Sequence, residues 1–350
     1  MHPTSSVALD DFAAAAPHDS SPHDARLWRF LLRHGSGAMA YSSLQPGALH
    51  FVHEQLGYLA YIPVRHPLFA PRGMHVVIGD PVAAKADFAA LLDAYAAAND
   101  AAVTVFLDIG RDFADVVSAR GYPVNEFGVN WNIELAGFDA ELRGKHYSHL
   151  RRWRNKARSE GVEVQEGRLG ELDGAELREL NREWLSRKGG KDLAGLVRPL
   201  VLQDEEGVRY FWARREGRLL ALAVFDPMYR DGRVIGYLHN ASRALKDAPN
   251  GTNDAIVLQA INQFKAEGRE VLSLGLSPLA LKSGEAYPHN RLVARGFDFI
   301  YRRCSFIYPC QGNFFHKEKY CAQQQPSFIA GIPTLKLYHL LGILRALGTL

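Results

Sequence analysis

The sequence predicts a mixed α/β fold in which two similar domains follow each other and a basic helix joins them. The first observation is a loop, a helix, a strand and a second loop in residues 250–279. The second is that the same order of strands and helices occurs in both halves of the chain. The third is a segment between the halves, residues 143–158, that is rich in arginine.

A helix between two strands is the pattern of the first stretch. Thr252 or Asn253 is expected to cap the first helical turn, and Gly268 is expected to end the helix. Residues 234–238 and 271–276 are short apolar runs typical of strands. Apolar residues recur at helical spacing at Ala255, Ile256, Leu258, Ala260, Ile261 and Phe264. This order predicts a site for an anionic or ester-activated donor at the helix N-terminus, as in the GNAT acyltransferase fold.

The first half of the chain contains helices and strands in a similar order. Helices are predicted at residues 24–35, 84–99 and 112–120, and strands at residues 48–53, 57–64, 75–79, 102–109 and 127–135.

The second half is predicted to repeat this order. Strands are predicted at residues 208–214, 219–226, 234–238, 271–276 and 297–309, and helices from residue 252 and at residues 289–295. The tetrapeptide 119–122 (ARGY) is similar to 294–297 (ARGF), and each copy is predicted to end a helix and enter a strand. A shared tetrapeptide at the same place in the order favours a duplicated domain.

Chain length suits two domains, and the cysteine content suits a reducing cytosol. The chain has 350 residues and a net charge of +3, and its three cysteines do not make a disulfide framework. The predicted domains are residues 25–140 and 161–330. A polar tail, residues 1–24, is expected to be disordered and is not a signal peptide, and no apolar run is long enough to span a membrane.

Seven Lys and Arg and no acidic residue lie in residues 143–158, within the predicted linker helix 141–160. Leu150, Trp153 and Ala157 form an apolar stripe that would anchor this helix. One hypothesis is a phosphate-contacting helix for tRNA or anionic lipid, and the other is a solvated helix. The residues expected to meet phosphate are Arg151, Arg152, Arg154 and Lys156.

The loops before the two helices lack the glycine-rich turn that holds the pyrophosphate of coenzyme A. Residues 243–252 read RALKDAPNGT, with one glycine, and residues 79–85 also lack the pattern. The sequence therefore favours a GNAT-type fold that does not bind coenzyme A in the usual way.

Several segments in order resemble one family over residues 50–331. They include LGYLAYIPV, HLRRWRNKARSEG, NREWLSRKGG, DAPNGTNDAI, LSLGLSPLA and FFHKEKY. The chain resembles the C-terminal catalytic region of lysylphosphatidylglycerol synthases, also called multiple peptide resistance factors, and their stand-alone relatives of the DUF2156 type. It departs from the family at residues 323–329 (QQQPSFI), where the family usually has Pro-x-Trp-Glu-Pro-Arg-Tyr-Leu.

The resemblance implies transfer of an aminoacyl group from aminoacyl-tRNA to phosphatidylglycerol or to another hydroxyl or amine acceptor. It requires no cofactor, because the donor is already an ester. Asp254 matches the family's acidic position, and Lys317 and Lys319 match its lysine pair.

Further site residues are predicted from their positions. Asp254 and His239 are the expected catalytic residues, as base or orienting groups, although a helix-capping Asp and a satisfied core His are alternatives. Asn240, Asn253, Ser277 and Arg303 are expected to bind substrate together with the lysine pair. Ser277 is expected to hold a loop rather than to act as a nucleophile.

A zinc site at Cys304, Cys310, His316 and Cys321 is not expected, because the Cys-x-x-Cys knuckle is missing. Gly73 and the scattered glycines form no nucleotide fingerprint. Two other functions stay open: an N-acyltransferase that uses acyl-CoA or acyl carrier protein, and a non-catalytic module that binds tRNA or an anionic membrane.

The C-terminal segment, residues 328–350, is the most apolar part of the chain. Residues 331–350 are predicted as a helix, opened by residues 334–336, on which Leu337, Leu340, Leu341, Leu344 and Leu347 share much of one face. This helix either packs on the second domain or lies at a membrane interface. The expected location is the cytoplasm, with attachment to the inner face of the membrane in the second case.

Overall fold

The computed structural model describes residues 24–99, 101–187, 198–280, 286–303 and 310–347. Within those residues the helices are α1 (Ala25–His34), α2 (Phe88–Ala98), α3 (Arg111–Ala119), α4 (Ser148–Ser159), α5 (Gly174–Arg187), α6 (Thr252–Ala266), α7 (Arg291–Arg303), α8 (Cys310–Glu318) and α9 (His339–Ala346). The strands are β1 (Leu49–His53), β2 (Gly57–His66), β3 (Ala70–Ile78), β4 (Val82–Ala83), β5 (Val103–Ile109), β6 (Val124–Glu134), β7 (Glu163–Gly167), β8 (Arg209–Arg215), β9 (Arg218–Arg230), β10 (Arg233–Ala244), β11 (Val271–Pro278) and β12 (Gln323–Ile332).

One sheet connects these strands, which confirms the predicted mixed α/β fold. Its order is β1-β2-β3-β5-β12-β6-β11-β10-β9-β8-β7, and β4 pairs with β2. Two neighbouring pairs, β3 with β5 and β10 with β11, are parallel, and every other pair among the described strands is antiparallel.

The two halves of the chain exchange their last strands at the centre of the sheet. Strand β12, from the second half, pairs with β5 of the first half, and β6 of the first half pairs with β11 of the second. The two exchanged strands also pair with each other. The sheet is therefore continuous across the predicted boundary between residues 140 and 161.

Most predicted elements of the first half form for the reasons given by the sequence. The Asp24 carboxylate caps α1 by accepting a 2.8 Å hydrogen bond from the Arg26 amide. Leu27, Phe30 and Leu31 are buried along one side of that helix, as predicted. Helix α6 likewise buries an apolar face, and its Phe264 ring stacks on Tyr237 with centroids 4.2 Å apart.

Of the two predictions about the ends of α6, one agrees with the structure and the other was wrong. Gly268 follows the end of α6 with a left-handed φ of +71°, which supports its predicted stop. The predicted side-chain cap at Thr252 or Asn253 was wrong. Gly251 occupies the N-cap, and the Thr252 hydroxyl donates backward to the Pro249 carbonyl. Glycine is needed here because its φ is +96° and Trp153 of α4 lies directly against it.

The predicted last strand at residues 297–309 was wrong over its described part. Residues 297–303 lie in helix α7, and residues 304–309 lie outside the described residues. The second copy of the tetrapeptide is therefore inside a helix, whereas the first ends α3 before β6. Val293 and Phe297 are both buried and lie four residues apart, which is a helical spacing. The predicted helix ended at residue 295 and so did not include Phe297.

The C-terminal prediction was partly wrong. Residues 328–332 belong to strand β12, and the helix begins at His339 rather than near residue 334. Its buried side contains Gly342, Ile343 and Ala346, while Leu337 and Leu341 are exposed. No helix in the described ranges is both long enough and apolar enough to cross a membrane.

Candidate functional site

A cavity of about 230 Å³ opens where the parallel strands β10 and β11 separate. The two strands pair only from Gly236 to Leu238 on β10 and from Val271 to Ser273 on β11. Beyond this point β10 changes register with β9, and β11 changes register with β6 at Gly275, whose φ is +74°. The cavity wall includes His239, Asn240, Ser242, Asn253, Leu276, Asn313, His316, Lys317 and Tyr320.

Asp254 lies in the first turn of α6 and is paired with two side chains next to the end of α8. Its Oδ1 atom accepts a 2.6 Å hydrogen bond from the Tyr320 hydroxyl and lies 2.5 Å from the Lys319 ammonium. The Asp254 side chain is 7% exposed, so this is a buried ion pair. Burial and the nearby carboxylate raise the pKa of Tyr320, so its hydroxyl stays protonated and donates. The fold therefore pairs Asp254 with Lys319, a contact that the sequence did not predict.

His239 faces the cavity with its ring held from both sides. The ring stacks on Phe225 at 5.1 Å, and Nε2 lies 2.7 Å from the Ser242 hydroxyl. Burial, with smaller effects of His316 and Lys317, lowers the pKa of His239 to about 3. The ring is therefore neutral at pH 7 and only weakly basic, which favours an orienting role over proton abstraction.

Lys317 reaches the same cavity from α8. Its Nζ atom donates a 2.7 Å hydrogen bond to the Leu276 carbonyl, and a Cβ built on Gly275 would lie 3.9 Å from it. Burial lowers the pKa of Lys317 to about 7, although the charge of Asp108 opposes this change. A lysine that is partly neutral near pH 7 can accept a proton, which a surface lysine at its usual pKa cannot.

Ser277 and Asn240 make hydrogen bonds that hold the cavity wall. The Ser277 hydroxyl accepts from Trp131 Nε1 at 2.9 Å and donates to Asn313 Oδ1 at 2.7 Å. Asn240 pairs its amide with the backbone N–H and C=O of Arg198, at 3.0 and 3.2 Å. Ser277 thus joins β11 to β6 and α8 rather than holding a loop, and Asn240 joins β10 to the backbone of Arg198.

Arg198 is a buried residue that sequence reasoning missed. Its guanidinium binds Asp226 through two hydrogen bonds of 2.7 and 3.0 Å and also binds Glu205 at 2.6 Å. Asp226, on β9, is fully buried. The sequence does contain an acid inside the apolar run of β9, and such an acid requires a cationic partner.

Asn253 differs from Asn240 because part of its amide has no partner. Its Oδ1 atom is buried and accepts no hydrogen bond from the described residues. The residue lines the cavity at the start of α6, where no side chain caps the helix. These features make Asn253 a polar group that is available to orient a bound molecule.

The basic helix α4 packs against α6 at the N-terminus of that helix, where the Trp153 carbonyl touches Gly251. Arg152 is exposed, and its guanidinium lies 5.5 Å from the Trp153 ring. Arg151 instead donates to the carbonyls of Leu142 and Gly144, which fixes the preceding loop.

The other two predicted phosphate contacts on α4 are engaged locally. Lys156 pairs with Glu160 at 3.3 Å. An acidic residue just after the arginine-rich segment 143–158 therefore neutralises part of the charge of the helix. Arg154 donates to Asn155 at 3.4 Å. Arg303 lies elsewhere, at the exposed end of α7, and lines neither of the two cavities described in this section. Among the other predicted substrate-binding residues, Asn240, Asn253 and Lys317 line the smaller cavity, whereas Ser277 and Lys319 contact side chains that line it.

A larger cavity, of about 480 Å³, occupies the matching position beside the other parallel pair, β3 and β5. Asp108 accepts hydrogen bonds from Ser327 at 2.6 Å and Asn130 at 2.9 Å, and burial raises its pKa to about 6. Burial also raises the pKa of Asp80, on the same wall, to about 6. Met39 lines both cavities. The smaller cavity is the better candidate centre, because the predicted residues converge there.

The sequence contains a signal for Asp108, because it is an isolated carboxylate near the end of an apolar strand and such carboxylates are unusual. Among the described residues no three His, Cys, Asp or Glu side chains are grouped as metal ligands. Cys310 is buried and Cys321 is exposed, and Cys304 lies outside the described residues.

Comparison with protein families gives one match across most of the chain. The model described as "Phosphatidylglycerol lysyltransferase, C-terminal" matches residues 69–331. The phosphatidylglycerol lysyltransferase of Bacillus subtilis is 27% identical over 263 residues, which are 73% of this chain and 29% of that protein. An uncharacterized protein of Corynebacterium glutamicum is 24% identical over 283 residues, which are 77% and 34% of the two chains. The chain thus spans about a third of the length of these relatives.

Solved structures share the fold at low sequence identity. L-PGS from Bacillus licheniformis has a TM-score of 0.71 at 21% identity, covering 94% of this chain and 97% of that one. The DUF2156 C-terminal domain of a putative lysylphosphatidylglycerol synthetase from Agrobacterium fabrum has a TM-score of 0.68 at 17% identity, with coverages of 87% and 90%. FemX has a TM-score of 0.55 at 12% identity, with coverages of 89% and 96%.

Proposed function

Because this chain belongs to the phosphatidylglycerol lysyltransferase C-terminal family, we propose that it is an aminoacyltransferase. The donor is aminoacyl-tRNA, and the acceptor is a phosphatidylglycerol-like lipid or another molecule with a hydroxyl or amine. The observation that carries this proposal is the cavity between β10 and β11, which lies beside the uncapped start of α6 and contains Lys317.

The reaction is an exchange of one ester for another ester or for an amide. The acceptor oxygen or nitrogen forms a bond to the aminoacyl carbonyl carbon, and the bond from that carbon to the tRNA ribose oxygen breaks. The acceptor loses a proton, and the ribose hydroxyl gains one. The protein must position both substrates, accept the proton and stabilise the oxyanion.

The cavity residues supply groups for each of these tasks. Lys317 is the proposed base, because burial makes its amine partly neutral at pH 7. His239 and Asn253 are proposed to orient the substrate through neutral polar atoms. Asp254, held by Lys319 and Tyr320, is proposed to join the start of α6 to α8 and to fix the shape of the site.

The tRNA is proposed to approach over α4. This helix touches α6 next to the site, and Arg152 and Arg158 are exposed on it. Phosphate contacts from these arginines would bring the acceptor end of the tRNA to the cavity.

We also propose that the two halves are tandem GNAT-like domains, at residues 25–140 and 161–330, with α4 as their link. The support is the matching position of the two parallel strand pairs and the exchange of β6 and β12 between the halves. We place the working protein in the cytoplasm at the inner face of the membrane, where a lipid acceptor would be found.

The direct test is transfer of a labelled aminoacyl group. The protein is incubated with a set of labelled aminoacyl-tRNAs, with cell lipids and separately with the small-molecule fraction of the cell. Label should move from tRNA into one of these fractions, and Lys317→Met should abolish the transfer. If no aminoacyl-tRNA loses its label to any extractable product beyond spontaneous hydrolysis, the proposed function is wrong.

A further inference from the structure

Exposed apolar side chains gather on one side of the described protein. Eight large apolar side chains are exposed among the described residues, and six of them lie on α7, on or just before α9, or in the turn between β2 and β3. The six are Leu68, Leu292, Phe299, Leu337, Tyr338 and Leu341, with exposed fractions from 44% to 86%. A folded protein rarely exposes so many large apolar groups together unless that surface contacts something.

Contacts between the three segments show that α7, the chain before α9 and the turn between β2 and β3 pack next to one another. Leu337 lies across α7 at Gly296, where an added Cβ would be 2.5 Å from Leu337 Cδ1. Leu292 and Phe299 flank Gly296 on the same side of α7, at helical spacings of four and three residues. The turn between β2 and β3 packs on α9 through Phe69, the residue after Leu68. The Phe69 ring lies 3.6 Å from a Cβ built on Gly342 of α9.

This surface is rigid, because the opposite sides of the same segments are buried together. Val293 and Phe297 of α7, Ile343 and Ala346 of α9 and Met74 of β3 share one apolar core. The Asn290 side chain, just before α7, also donates to the Leu335 carbonyl at 3.0 Å. The exposed residues are therefore not a loose end that folds back on the core.

Positive charge surrounds the exposed apolar residues. Residues 57–79, 286–303 and 328–347 contain eight Lys and Arg and one acid, Asp298, whereas the whole chain has a net charge of only +3. The eight bases are all exposed, and they are Arg65, Arg72, Arg291, Arg295, Arg302, Arg303, Lys336 and Arg345. Asp298 pairs with Arg302 at 2.8 Å.

We propose that this surface, the α7–α9 face, docks the protein on an anionic lipid bilayer. Leucine, phenylalanine and tyrosine enter the interfacial layer, and the surrounding arginines meet the lipid phosphates. A nucleic acid would use the positive charge but would gain little from Leu68 and Leu292, so the mixture favours lipid. This inference rests on the proposed function, because a bilayer is where a phosphatidylglycerol-like acceptor lies.

The core beneath the docking surface extends to the wall of the candidate site. The Leu276 side chain packs against the core beneath α7, and the Leu276 carbonyl accepts the hydrogen bond from Lys317 in the cavity. One residue thus connects the core under the α7–α9 face with the cavity wall. Docking by this face would bring the membrane surface near the proposed base, on a different element from the basic helix α4.

Vesicle co-sedimentation of the full chain tests the proposal without tRNA or turnover. The chain should sediment with vesicles of phosphatidylcholine and phosphatidylglycerol at low salt, and far less with phosphatidylcholine alone. The variant Leu68→Ser/Phe299→Ser should lower partitioning at least tenfold. Phe315→Ser is the matched control, because Phe315 is 64% exposed and lies outside the face, and it should not change partitioning.

Charge reversal gives a second pair of variants. Arg291→Glu/Arg295→Glu should weaken binding about fivefold or more per arginine. Arg152→Glu/Arg158→Glu, on α4, should leave vesicle binding unchanged. Absence of binding to anionic vesicles, or equal losses in the two charge variants, would overturn the docking surface, and so would capture of an acidic protein without any binding to lipid.

The outcomes for docking and for transfer are separable. A chain that binds vesicles but transfers no label keeps the docking surface and loses the proposed function. A chain that transfers label to detergent-dispersed lipid but does not bind vesicles keeps the function and loses the docking surface. Circular dichroism of each variant shows that it is folded.

Discussion

The Lys317 Nζ atom donates its hydrogen bond to the carbonyl of Leu276, 2.7 Å away, beside the register change of β11. Gly275, with a left-handed φ of +74°, forms this register change next to the amine. Lys317 is half-buried and its amine donates to a neutral carbonyl, so the cation is poorly solvated and its pKa falls to about 7. This contact leads to the first prediction.

Lys317→Met should lower the single-turnover rate of aminoacyl transfer by about 10²–10⁴-fold, the usual contribution of a general base. Lys317→Arg should be equally slow, because arginine does not lose its proton. The wild-type rate should rise with pH through an apparent pKa near 7, as Lys317 becomes neutral. Rates measured from pH 5.5 to 8.5 test this. If a Lys317 variant shows the same rise of rate with pH, the base is another residue.

The buried pair of Asp254 and Lys319 gives a second prediction. Asp254→Asn leaves the Lys319 charge without its partner, so the free energy of unfolding should fall by about 3–5 kcal/mol. Transfer should fall with it, while tRNA affinity stays within a few fold. Denaturant unfolding and filter binding measure the two effects. Lys319→Met in the Asp254→Asn background should recover part of the lost stability, and no recovery would argue against the ion pair.

Helix α4 carries two arginines with different surroundings, and they should respond differently to substitution. Arg152 is exposed, so Arg152→Ala should reduce the slope of log affinity for tRNA against log salt by about one. Arg151 supports the loop at Leu142 and Gly144, so Arg151→Ala should mainly reduce thermal stability. Binding titrations at several salt concentrations check both variants. An unchanged slope for Arg152→Ala would make α4 a structural link.

Asp108 predicts how stability depends on pH. Its folded-state pKa is about 6, against an unperturbed value of 3.8, so the folded protein binds this proton more tightly than the unfolded chain. The carboxyl therefore costs up to about 3 kcal/mol of stability above pH 6, and this cost disappears as the pH falls from 6 to 4.

Asp108→Asn is the matched variant for that prediction, because asparagine tolerates the left-handed φ of +60° at this position. The wild type should gain stability relative to the variant as the pH falls through this window. Urea unfolding at pH 7, 6, 5 and 4.5 gives the difference. A difference that is constant across the window would contradict the raised pKa.

Local patterns predicted the elements whose partners are close in sequence. Helices α1, α2, α3 and α6 and most strands follow their own periodicity and turns. The exchange of β6 and β12 was not predictable, because nothing in either strand states which half it will join. The end of β12, residues 331–332, falls within the predicted C-terminal helix, since a short apolar run is compatible with a strand or a helix.

The candidate site follows the same division. The resemblance identified Asp254, Lys317 and Lys319, and the fold places them on α6, on α8 and just after α8. The burial that lowers the pKa of Lys317 and the link from Asn240 to Arg198 depend on packing between distant segments. Arg303 does not line either cavity, because the predicted strand that carries it is a helix and Arg303 is exposed at its end.

The last prediction concerns the two sides of α9. Ile343 is buried in the core with Met74 and Val293, so Ile343→Ala should reduce the free energy of unfolding by about 2–5 kcal/mol. Leu341 is 44% exposed on the other side of the helix, so Leu341→Ala should change stability by less than about 1 kcal/mol. Denaturant unfolding of the two variants measures both effects, and the two substitutions remove the same number of carbon atoms at positions two residues apart. Equal costs would mean that α9 does not pack as described, and truncation after Gly331 should then be tolerated rather than unfold the protein.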